Sequence, residues 1–132
     1  MNNEKFQANV IFAARLLLSL MFIESCADKI LHWDFYLAET AAKNIPFPML
    51  ALSSAALVEF LGSVALITGV GIRLGALALA GYTVIVSFFY FDFWNQADPA
   101  AIMARKEFLK NLAVAGGLLI LCGKANASKH SL

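Results

Sequence analysis

The sequence predicts an all-α integral membrane protein: a four-helix bundle with a short interfacial helix between helices 1 and 2. Three observations carry this. The 132 residues are 61% hydrophobic and 14% charged, far more apolar than a soluble domain that must clothe itself in polar surface. The apolar stretches divide into four lengths of about 20 residues, each able to cross a hydrocarbon layer of about 30 Å as a helix. A single carboxylate, Glu59, stands near the middle of an apolar run from Ile45 to Ile72 that holds no other charge. Residues 1–132 read as one transmembrane domain, without repeats or low-complexity tracts.

The first span is expected at about 10–31. A removable signal peptide fits it poorly, because the run exceeds a signal core, contains Arg15 and ends at Glu24 to Lys29 without small-residue cleavage spacing. Between Trp33 and Pro48, apolar Phe35, Tyr36, Leu37, Ala41 and Ala42 mix with Asp34, Glu39 and Lys43, as in a short helix lying at the membrane surface. Pro46 and Pro48 stop that helix and return the chain to the membrane. The second and third spans, about 49–70 and 74–94, are joined across Gly69, Gly71 and Arg73, which leave room only for a tight antiparallel turn. The fourth, about 107–123, is short for the bilayer and draws its preceding turn inward.

An even number of spans places both termini on one side. Lys5, Arg15, Arg73, Lys124 and Lys129 then lie there, against Lys29, Lys43, Arg105, Lys106 and Lys110 opposite, so the positive-inside count is a tie. Lys29 and Lys110 are expected inside the bundle and Asp34, Glu39 and Asp98 in the far loops, which favours cytoplasmic termini.

A carboxylate at the centre of a spanning helix costs about 2.5–3.5 kcal/mol on insertion scales, so Glu59 reads as part of a polar site. Glu24 and Asp28 lie four apart on one helical face, about 10 Å and 5 Å below the surface at which the first helix ends. Lys29 is one position off that face, so Lys110 and Asn111, opening the fourth span, are taken as the partners that reach Glu59. Ala55, Ala56, Gly62 and Ser63 around Glu59, with Gly75, Ala78, Gly81, Gly116 and Gly117 on later spans, assign these faces to helix contacts. The expected pocket joins Glu24, Asp28, Lys29, Glu59, Lys110 and Asn111, with Asp92 at its edge. Trp33, Trp94, Phe35, Tyr36, Phe47, Phe108 and the run Phe88 to Phe93 fall at the same end, either as an aromatic belt at headgroup level or as a rim to the pocket.

Competing readings stand beside these. A Glu–Lys pair with an Asn can be buried glue that fixes helix register. Arg15 and Arg73 can snorkel to headgroups. Cys26 and Cys122 fall at opposite ends of the bundle, too far apart for a disulfide, and Cys26 reads as packing more readily than as a reactive thiol. His32 and His130 share no face and no cysteine spacing, so no metal site is expected. Ten basic and nine acidic residues nearly cancel, leaving no footprint for nucleic acid.

The stretches Arg15–Lys29 (RLLLSLMFIESCADK), Val58–Arg73 (VEFLGSVALITGVGIR) and Phe108–Leu121 (FLKNLAVAGGLLIL) resemble the three signature regions of the DoxX family of small bacterial inner-membrane proteins. Lys29, Glu59, Lys110 and Asn111 fall on the family's pattern, whereas Glu24, Cys26 and Asp28 stand where members usually carry small residues. The resemblance implies a multi-pass protein of the bacterial inner membrane. Some relatives are subunits of thiosulfate:quinone oxidoreductases or belong to membrane oxidoreductase assemblies.

The expectation that follows is a membrane subunit of an oxidoreductase system that meets quinone or a similar small amphipathic molecule, with no covalently bound cofactor. Glu59 would carry or relay a proton under the control of Lys110, Asn111 would hydrogen-bond a carbonyl, and the aromatic rim would stack a ring. Electrons would come from a soluble redox partner or substrate. A small-solute or proton carrier, which could require a homo-oligomer, and a non-catalytic assembly partner in the bilayer are the alternatives.

Overall fold

The computed structural model describes residues 3–130, with side chains through residue 124; the side chains of Lys129 and His130 lie outside the described residues. Among these residues the chain is helical without strands: α1 (Asn3–Leu31), α2 (Trp33–Ala42), α3 (Pro48–Thr68), α4 (Ile72–Tyr90), a 3-10 turn (Phe93–Asn95) and α5 (Ala100–His130). The short helix expected between the first two spans is α2. Among the described residues, α1, α3 and the stretch from Ile72 to Asn95 are each long and apolar enough to cross a membrane.

Helices and apolar runs end at different places. The first helix begins at Asn3, seven residues before the apolar run expected at Val10, because its polar opening carries Glu4 in the first turn, where the helix dipole favours an acid. α5 begins at Ala100, directly after Pro99, since the Ala-Ala-Ile-Met-Ala stretch is strongly helix-forming well before the apolar run starts. α4 stops at Tyr90, short of the expected Trp94, and Trp94 lies in the 3-10 turn.

The long helices form a ring in which α1 packs on α3, α3 on α4 and α4 on α5, with α1 touching α5 lightly. A core of Phe22, Leu66, Ala76, Leu79, Ala80, Ala115, Leu118 and Leu121 fills the end of the ring near the termini. The α3–α4 turn uses Gly69 at φ 85° and Gly71 at φ 69°, left-handed positions that a glycine adopts without steric penalty.

Among the glycines, close helix–helix approach falls on the α3–α4 seam. A Cβ on Gly62 would lie 2.5 Å from Leu79 Cγ, and one on Gly75 would lie 2.7 Å from the Ala65 Cβ, so α3 and α4 approach through these glycines. Gly81, Gly116 and Gly117, expected at similar approaches, face open space. Arg15 does not snorkel: its Nε donates to Leu66 O at 2.7 Å and its Nη2 to Ile67 O at 3.2 Å, satisfying carbonyls at the C-terminal end of α3.

Candidate functional site

The far ends of α1 and α4 and the near ends of α3 and α5 stand apart around a cavity of about 370 Å³, across whose mouth α2 lies. On α3 the buried residues Leu52, Glu59, Gly62, Ser63 and Leu66 recur at helical steps, so one face carries Glu59 into the bundle. On α1, Ser19, Phe22 and Cys26 are buried at three- and four-residue steps, and the next position on that face is Lys29.

The partner of Glu59 is therefore Lys29. Its Nζ lies 2.9 Å from Glu59 Oε1, with side-chain exposures of 13% and 2%. Nζ also donates to Ser25 Oγ at 2.7 Å, which lays the lysine stem along α1. The approach to Glu59 meets the distance of an ion pair but not the direction of a hydrogen bond, so Oε1 is buried without a directed donor. The Tyr82 phenol lies beside the same carboxylate.

Lys110, expected to hold Glu59, instead pairs with Glu107 at 3.3 Å and is 64% exposed. The inward positions of α5 at this level are Ala104, Asn111, Ala115 and Leu118, steps of seven, four and three, which leave Lys110 one position off the buried face. Lys110 and Asn111 still line the cavity wall, as do Glu24, Lys29 and Glu59.

Asp28 and Asp92, both assigned to the pocket from the sequence, are outside its lining. Asp28 accepts the Tyr36 hydroxyl proton and pairs with His32 Nδ1 at 2.9 Å, because it lies on the α1 face turned toward α2. The bond to Asp28 pushes the Tyr36 phenol up to about 12. Asp92 accepts from Lys43 Nζ at 3.0 Å, Gln96 Nε2 at 3.0 Å and Asn95 Nδ2 at 3.2 Å. With the Thr40–Tyr90 hydroxyl pair, these contacts fasten α2 and the residue that follows it to α1 and the end of α4.

Residues missed from the sequence include Lys43, Tyr82 and Thr83, all in the cavity wall. For Thr83 and its neighbour Tyr82 the signal was the helical register of α4, where Leu79, Thr83 and Ser87 recur at four-residue steps on the buried face. The aromatic rim divides. Tyr36, Tyr90 and Phe91 line the cavity, whereas Phe88, Phe93, Trp94 and Phe108 pack on one another with centroids 5.1–5.9 Å apart, away from it. Cys26 and Cys122 are both free, and Cys26 is buried with its thiol donating to Ala56 O at 3.4 Å.

Fold and site together define a small multi-pass membrane protein with a buried Lys29–Glu59 ion pair in the wall of a cavity between its helices. The chain belongs to the DoxX family, whose model matches residues 10–92, a stretch holding Lys29 and Glu59 but ending before Lys110 and Asn111. Inner membrane protein YqjF of Escherichia coli (strain K12) is 32% identical over 111 residues, covering 84% of this chain and 80% of that protein. Inner membrane protein YphA of the same organism is 26% identical over 112 residues, covering 85% and 80%. No solved structure matches the chain.

Proposed function

We propose that this protein is the membrane subunit of an oxidoreductase system of the inner membrane, with cytoplasmic termini, and that its cavity receives a quinone or a similar small amphipathic molecule. The observation that supports the reading is the Glu59–Lys29 pair buried at a cavity of about 370 Å³, a volume within the usual range of small-molecule sites. An ionisable pair inside a membrane bundle is expensive, and function is the common reason that it is kept.

Interconversion of quinone and quinol moves two electrons and two protons per ring. In this reading a soluble redox partner exchanges the electrons, and Glu59 passes protons between the ring and the mouth. Lys29 takes the controlling place first assigned to Lys110. Asn111 hydrogen-bonds a ring oxygen, and Tyr36, Tyr90 and Phe91 pack its faces.

Titrating a short-chain quinone into detergent-solubilised protein tests the reading. Saturable quenching of intrinsic fluorescence, weakened at least several-fold in Glu59→Gln, is the expected result. A wild-type protein that shows no saturable response removes the quinone site, and an unchanged affinity in the variant removes the proton role of Glu59.

A further inference from the structure

We propose that the cavity selects a neutral ring carrying hydroxyl donors, so that the reduced quinol binds in preference to the quinone; this rests on the quinone reading given above. The starting point is Glu59 Oε1, a buried carboxylate oxygen in the cavity wall that Lys29 neutralises without directing a hydrogen bond at it. A buried acceptor without a donor is destabilising, and a ligand that brings an O–H relieves it with a charge-assisted bond.

The charges of the wall narrow the donor further. A cationic ligand reaching Oε1 would meet the Lys29 ammonium, which already stands 2.9 Å from that atom. An anionic ligand would meet Glu59 together with Glu24 and Glu39, two wall carboxylates that form no ion pair among the described residues. A neutral donor avoids both repulsions.

The hydroxyls of the wall leave that oxygen open. Tyr36 donates to Asp28, Thr83 donates to Leu79 O at 2.7 Å, and the Tyr82 phenol lies beside the Glu59 carboxylate without bonding Oε1. A quinone offers only oxygen lone pairs and would set them against a carboxylate, whereas a quinol hydroxyl completes the bond. Asn111, whose amide makes no hydrogen bond among the described residues, can donate to or accept from a second ring oxygen and so serves either form.

The test compares three probes that share one tetramethyl ring by anaerobic titration calorimetry on the solubilised full chain: tetramethyl-1,4-hydroquinone, tetramethyl-1,4-benzoquinone and the hydroquinone's dimethyl ether, whose two added methyls favour burial and so work against the expected order. The hydroquinone is expected to bind at least about tenfold more tightly than the other two. Glu59→Gln, which exchanges the charged acceptor for an amide, narrows that ratio. A tenfold preference raises the midpoint potential of the bound couple by about 30 mV, readable in a redox titration. Equal affinity for hydroquinone and ether overturns the donor inference while leaving a ring-binding site, and failure of all three probes to bind overturns the quinone reading with it. The ether comparison uses wild-type protein, so it holds even where the variant does not fold.

Discussion

Replacing Lys29 by methionine keeps most of the side-chain length and removes the charge, leaving the Glu59 carboxylate buried alone. Breaking a buried pair at one partner costs about 3–5 kcal/mol. Because Lys29 is 13% exposed at the cavity and its charge is therefore only partly desolvated, the lower end of that range, about 3 kcal/mol, is expected. Lys110→Met serves as the contrast. Its partner Glu107 is three residues away on the same exposed helix face, so the loss should stay below about 0.5 kcal/mol. The assay is the loss of helical circular dichroism as dodecyl sulfate is titrated into dodecyl maltoside micelles. The double variant Lys29→Met with Glu59→Met should recover most of the loss, since a buried pair and an apolar pair of similar volume differ little. Equal destabilisation by Lys29→Met and Lys110→Met would refute the assignment of Lys29 as the counter-charge.

Two further predictions test the packing and the surface helix. Gly62→Ala places a methyl 2.5 Å from the fully buried Leu79 and should destabilise by roughly 1–3 kcal/mol, whereas Gly117→Ala meets open space and should be neutral or stabilise by up to about 1 kcal/mol; the same titration reads both, and a harmless Gly62→Ala would contradict the α3–α4 seam. Tyr36 is held neutral by its bond to Asp28, with its phenol pushed up from 10 to about 12. An acid whose folded value is raised contributes stability that is complete below about pH 10 and is lost as pH rises toward about 12. Absorbance at the tyrosinate band should therefore lose a late phase in Tyr36→Phe, and a wild-type Tyr36 that titrates near 10 would exclude the Asp28 bond.

The membrane class and the surface helix were legible because apolarity and helix breakers are local properties. Glu59 was legible for the same reason: a lone acid in an apolar run from Ile45 to Ile72 needs no tertiary information to stand out. Its partner was not. Lys29 and Lys110 each lie near a span end at similar expected depth, and the choice turned on which of two helical faces pointed inward. The Glu24–Asp28 spacing predicts an inner face for the first span, but the buried face of α1 runs through Ser19, Phe22 and Cys26, and Lys29 continues it. One hundred degrees of helix rotation separates neighbouring positions, so a reading one residue out exchanges a wall residue for one facing α2, as happened with Asp28.

What the sequence determined by itself is the solvent this protein lives in, its all-helical class, and the presence of one acid that requires company. These follow from transfer free energies and backbone chemistry that each residue carries wherever it is placed. Only the tertiary structure decided that Lys29 supplies the opposite charge, that Arg15 satisfies the end of α3, and that α2 is fastened across the cavity through Tyr36, Thr40 and Lys43. Those outcomes depend on helix rotation and on which helices are neighbours, and both are set by packing summed over the whole ring rather than by any single stretch of chain.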